Sequence, residues 1–171
     1  DPKAVLEVAK YAVYDSGFVL GSGTEEAFWT SMREGSGLRG NDTELTARVL
    51  DAFILRPWII EQVRQWRSQG YITGILSDQM HWLDWLNERD RFFDAFDHVF
   101  NSYHMGRGKR DPGLFPEIAA KLSLQPGEIL FVDDLQTNIE RAQAAGWQTI
   151  LYVDKTGFLE SIDEMLGADH P

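Results

Sequence analysis

Three short apolar runs in this chain end in polar residues of complementary chemistry. Tyr71 to Leu76 delivers Ser77 and Asp78, the segment from His98 to Asn101 leads into Lys109, and Glu128 to Val132 delivers Asp133 and Asp134. Where such runs are parallel strands separated by helices, ligands bind in the crevice outside their carboxyl ends. A hydroxyl, an ammonium and two adjacent carboxylates at that edge suit a phosphoryl group with Mg2+. Carboxylate oxygens hold the hard cation, while the hydroxyl and the lysine hold phosphate oxygens.

The surrounding pattern supplies the elements that must position these residues. Pro57 opens a helix with Ile59, Ile60, Val63 and Trp66 on one face, and Gly70 stops it before the run 71–76. A helix over 79–88 follows, with Trp82, Trp85 and Leu86 as a core stripe, then a strand over 98–101, a basic loop over 107–110 and a helix over 112–122. The strand 128–132, the helix 136–145 stopped by Gly146, the strand 148–152 and a last helix over 156–166 complete the alternation. It predicts an α/β fold: a Rossmann-like parallel sheet with helices on both faces. The first 55 residues differ, because Val5, Leu6, Val8, Ala9, Ala12 and Val13 recur at helical spacing after an Asp1 N-cap, and helices are predicted from Thr24 and over 42–53. We therefore expect a small helical cap over 1–55 and a core over 56–171 that lacks a clear first strand.

Ile75-Leu76-Ser77-Asp78, Gly108-Lys109-Arg110-Asp111-Pro112, and Phe131-Val132-Asp133-Asp134 with Asn138 resemble motifs two, three and four of the haloacid dehalogenase superfamily, in that order. Glu25-Glu26-Ala27-Phe28-Trp29 resembles a helix of that family's cap. The resemblance implies a Mg2+-dependent hydrolase, in first place a phosphatase acting on a small phosphorylated metabolite through a phospho-aspartyl intermediate. A catalytically inactive module that binds or regulates, and a 2-haloacid dehalogenase-type hydrolase, are the alternatives. It further implies that Ser77 hydrogen-bonds the phosphate, Lys109 neutralises nucleophile and phosphate, Asp134 ligates Mg2+ with Asp133 assisting directly or through water, and Asn138 fixes the site from behind.

Two positions depart from the family pattern. Asp78 stands where Asn is common and Arg110 where Pro is common. Asp78, grouped with Ser77 and Lys109 around the phosphate, adds negative charge there, and Arg110 offsets it. The family's first motif places the nucleophilic Asp at the end of the first strand. Ala12-Val13-Tyr14-Asp15-Ser16-Gly17-Phe18-Val19-Leu20 resembles a DxGxVL form of it, which would make Asp15 the nucleophile. The helical periodicity of 2–14 instead places Asp15 in a cap helix. The expectation is then a nucleophile strand preceding Asp1, carried by about 30 or more further residues on usual domain sizes.

Composition narrows the remaining classes. The chain has 171 residues, 16 Lys and Arg against 27 Asp and Glu, and a net charge of −11. That balance argues against nucleic-acid and anionic-membrane partners, which need clustered cations. The absence of Cys removes disulfides, thiolate nucleophiles and Cys-ligated metals, and no apolar run reaches the length of a membrane span. A cytoplasmic protein is the expectation. The four His residues lack metal-ligand spacing. Lys109 belongs to no Walker loop, because Tyr103 occupies the first Gly position and Arg110 the Ser or Thr position.

Overall fold

The computed structural model describes residues 2–167. The chain divides into two compact units, the first ending at Gly108 and the second starting at Lys109. This boundary lies well beyond residue 55.

In the first unit, α1 (Pro2–Asp15) follows the predicted stripe except at Leu6: Ala12 is buried, Val5, Val8, Ala9 and Val13 pack against the same core, and Leu6 is exposed. Helix α2 (Glu25–Ser36) starts where Thr24 Oγ1 accepts the Ala27 N–H at 3.1 Å, with Glu25 and Glu26 in the first turn favoured by the helix dipole. Helix α3 (Asp42–Ala52) is capped in the same way by Asn41, and α4 (Pro57–Ser68) begins at its proline. Between α1 and α2 the chain makes a 3-10 turn over Phe18–Leu20, flanked by Gly17 and Gly21 at φ 72° and 68°. Gly21 also abuts the Tyr103 backbone, where an added Cβ would stand 2.4 Å from the carbonyl oxygen. Position 21 therefore requires glycine on two counts.

Strand β1 (Gly74–Ser77) pairs in parallel with β2 (His98–Asn101), Gly74 opposite His98 and Ser77 opposite Asn101, with α5 (Trp82–Asp90) between them and α6 (Ser102–Met105) after β2. The rings of Phe18, Phe28, Trp29 and Trp82 meet at centroid distances of 4.7–5.9 Å. One core therefore runs from the amino-terminal helices into Met80 and Trp82, just past the carboxyl end of β1. The α2 rings Phe28 and Trp29 pack on Trp82 at the start of α5, and α1 packs on α2. Trp85, predicted as core, is 42% exposed, while Trp82 and Leu86 are buried.

Asp97 ties the start of both strands. Its Oδ2 accepts from the Thr73 N–H at 2.9 Å and the Thr73 hydroxyl at 3.0 Å, and its Oδ1 lies 2.7 Å from Arg67 Nε. The Thr73 backbone hydrogen bond, the Thr73 hydroxyl and Arg67 together hold its carboxyl below the ordinary value. Asp97→Ala should cost about 1–3 kcal/mol near neutral pH. Because the folded value is the lower one, this stabilisation is present above the unfolded value of about 3.9 and is lost as pH falls through the folded value. Urea unfolding of both proteins at neutral and acidic pH should show the gap closing in acid.

The second unit holds α7 (Leu114–Leu122), β3 (Leu130–Asp133), α8 (Gln136–Ala144), β4 (Gln148–Leu151) and α9 (Lys155–Gly167). Strands β3 and β4 are parallel, Leu130 opposite Gln148 and Asp133 opposite Leu151, so β3–α8–β4 is a βαβ unit. Phe115, Phe131 and Trp147 pack edge to face at 5.0–6.0 Å and fill its core.

The expected single sheet is therefore met in part: four short strands form two parallel pairs, and among the described residues β1 pairs only with β2 and β3 only with β4. Each of β1 and β3 keeps one edge without a backbone partner. Residues 10–14, the segment that would have had to form a further strand for Asp15 to end it, are helical. The Asp1 cap lies outside the described residues. Among these, no helix is long and apolar enough to cross a membrane.

Candidate active site

In the first unit β1 carries Ser77 to its carboxyl end, where the side chain is half-buried and makes no hydrogen bond among the described residues. Asp78 follows it, and its Oδ2 accepts from the Tyr14 hydroxyl, so an α1 side chain reaches the end of β1. Gly108 lies against the same carboxylate: a Cβ there would stand 3.1 Å from Asp78 Oδ1. Asp78, expected at the phosphate, is thus already engaged by Tyr14.

The turn after β1 is held from β2. Asn101 Nδ2 donates to the Met80 carbonyl at 3.2 Å, and Ser102 Oγ donates to the Val19 carbonyl at 2.7 Å and accepts the Gln79 N–H at 3.1 Å. Both residues are almost fully buried. Sequence reasoning missed them as determinants of the site. The available signal was an Asn-Ser pair directly after an apolar run, residues that hydrogen-bond backbone where a chain leaves a strand.

Asp15 is the last residue of α1, exposed, and without a hydrogen bond or ion pair among the described residues. The helix expected from the periodicity of 2–14 is the one found, and the strand that the DxGxVL resemblance would require at Asp15 is not. The stripe that buries α1 imposes a helix where the motif needs a strand.

In the second unit Lys109 Nζ donates to Asp133 Oδ2 at 2.6 Å, with side-chain exposures of 10% and 6%. The ammonium also lies 5.5 Å from the Phe131 ring centroid. Asp133 Oδ1 accepts from the Leu135 N–H at 2.8 Å and from Asn138 Nδ2 at 3.1 Å. Asp133 thus ends β3 facing inward, and Asp134 faces outward, exposed, with no hydrogen bond or ion pair among the described residues. A strand's alternation separates the two adjacent carboxylates into a buried partner of Lys109 and an open anionic donor.

Residues 20–146 match the family model for a haloacid dehalogenase-like hydrolase. The chain belongs to the haloacid dehalogenase-like hydrolases. It is 24% identical over 136 residues to bifunctional epoxide hydrolase 2 of Rattus norvegicus, covering 75% of this chain and 24% of that protein. It is 32% identical over 100 residues to enolase-phosphatase E1 of Thioalkalivibrio sulfidiphilus, covering 57% and 44%. The chain thus spans less than half the length of these relatives. Among solved structures, a HAD-like family hydrolase from Porphyromonas gingivalis superposes with a TM-score of 0.75 at 19% identity, over 97% of this chain and 90% of that one. A HAD family enzyme from Bacteroides thetaiotaomicron, solved with magnesium and inorganic phosphate, superposes with a TM-score of 0.66 at 22% identity, over 92% and 88%.

Asp134 is the exposed one of the two adjacent carboxylates of this haloacid dehalogenase-like hydrolase, and the donor type a hard divalent cation would take. Mg2+ keeps several waters and takes one or two carboxylates together with substrate phosphate. Asp133 has both oxygens committed to Lys109, Leu135 and Asn138. Among the described residues no three His, Cys, Asp or Glu side chains form a group that could hold a metal ion.

Proposed function

We propose that this chain belongs to a Mg2+-dependent phosphatase acting on a small phosphorylated metabolite. The observation that carries this reading is the buried Lys109–Asp133 pair with Asp134 open beside it. A buried ion pair contributes little net stability, because desolvation offsets the attraction. A fold that nonetheless keeps a lysine there has a use for its charge. The relatives whose names include a phosphatase, and the neighbour solved with magnesium and phosphate, support the same reading.

In this reading Ser77 donates to a phosphate oxygen, and Lys109, braced by Asp133, offsets the charge of the nucleophile and the phosphate. Asp134 holds Mg2+, which supplies charge neutralisation at the phosphate when bound. The attacking group is an aspartate carboxylate. Its oxygen forms a bond to phosphorus as the ester P–O bond breaks. The leaving oxygen takes a proton, and water then hydrolyses the acyl phosphate to inorganic phosphate and the free carboxylate.

The test is turnover of a panel of phosphomonoesters by the natural full-length protein, with Mg2+ and with EDTA. Release of phosphate only with Mg2+ is expected. No release from any ester, with inorganic phosphate still bound, would favour the inactive-module alternative, which the helical placement of Asp15 motivates.

A further inference from the structure

The Lys109–Asp133 pair does not end at Asn138. Arg141 Nη1 donates to Asn138 Oδ1 at 2.9 Å, so a continuous path runs from Arg141 through Asn138 and Asp133 to Lys109. We propose that Arg141 is a positioning residue of the site, orienting the Asn138 amide and through it holding Asp133 and Lys109 in register.

The chemistry of the donors forces this direction. A guanidinium has no acceptor, and an ionised carboxylate has no donor. An Asn between them has one orientation that satisfies both, with Oδ1 toward Arg141 and Nδ2 toward Asp133. Arg141 and Asn138 lie at i+3 and i on α8, neighbours on one face of the helix. Asn138 is buried at 7% exposure, so water does not readily replace either partner. Without Arg141 the amide is free to turn over, and Oδ1 then faces the Asp133 carboxylate, acceptor against acceptor. Asp133 loses one of its donors and Lys109 is held to a looser acceptor. Hydrogen bonds in such a chain also polarise one another, so the Arg141 charge strengthens the Asn138 donor toward Asp133.

The consequence for turnover rests on the phosphatase reading, but the arrangement itself can be measured without turnover. The full chain is pulsed with acetic anhydride, and acetylation of Lys109 is quantified by mass spectrometry against Lys121, a surface lysine 51% exposed on its side chain. Arg141→Ala should raise the Lys109-to-Lys121 ratio roughly three- to tenfold, the factor that one lost hydrogen bond represents, while Arg141→Lys, which keeps a donor, should return it most of the way. The Asn138 side-chain amide protons should shift in the Ala variant and return in the Lys variant.

An unchanged ratio in Arg141→Ala overturns the proposal, and so does a rise of equal size in Arg141→Lys. A rise at every lysine alike also overturns it, since that signals general loosening. If Arg141→Ala fails to fold, Arg141→Met, which keeps the length and has no donor, against Arg141→Lys decides by the same ratio. With Mg2+ and a phosphomonoester, kcat should fall on the order of tenfold in Arg141→Ala. Wild-type protein that turns over no ester sinks the phosphatase reading, while the labelling ratio still decides the role of Arg141.

Discussion

Lys109→Ala should both unfold the protein more easily and abolish its turnover, and a second substitution should separate the two effects. The ammonium lies 2.6 Å from a carboxylate whose side chain is 6% exposed. Removing it leaves a buried charge, a change that costs about 3–5 kcal/mol in such pairs. The Leu135 N–H and the Asn138 amide still donate to Asp133 Oδ1, which places the expected cost near the lower end. Lys109→Met with Asp133→Asn removes both charges and fills similar volume, so it should regain most of the lost stability. It should regain no activity. The attacking carboxylate and the phosphate would still repel within a few ångströms, and the lysine charge that offsets them would be gone. Denaturant midpoints beside phosphate-release rates check this. A Lys109→Ala protein with wild-type kinetics would remove the lysine from the site.

Some features of this chain were legible because they depend on neighbours in sequence. Thr24 followed by two glutamates marks the start of α2, and Thr24 caps it. The run from His98 to Asn101 is β2, residue for residue. Other features depend on partners far along the chain. Tyr71 and Ile72 have strand-type side chains, yet β1 begins at Gly74, because the ladder starts only where His98 is available to pair and Asp97 ties down Thr73. Helix α5 begins at Trp82 rather than Gln79, since Ser102 and Asn101 bind the backbone of Gln79 and Met80 and hold that turn open.

The residue types of the candidate site stand in the sequence, but their partners in the fold do not. Asp133 and Asp134 are equivalent as letters. The alternation of Phe131 and Asp133 inward against Val132 and Asp134 outward assigns one to Lys109 and leaves the other open. Tyr14 sits in a segment with helical spacing, and nothing local indicates that its hydroxyl reaches Asp78, 64 residues further on. Arg141 reads as a surface residue of an amphipathic helix, until the amide it faces is seen to face Asp133 as well.

That division of labour sets up the second large effect. Asp134→Asn should abolish Mg2+-dependent turnover, by at least about a hundredfold, because it replaces an anionic oxygen donor with a neutral amide at a hard-cation site. Unlike Lys109→Ala, it should leave stability unchanged to within about 0.5 kcal/mol, since the side chain is exposed and without a partner among the described residues. The contrast makes the result informative. An inactive Asp134→Asn protein with an unaltered denaturant midpoint has lost a function of the carboxylate and nothing of the fold. Raising Mg2+ should recover part of the rate if the lost step is cation binding. An active variant would remove Asp134 from the site, and with it the one open carboxylate on which the proposed cation site rests.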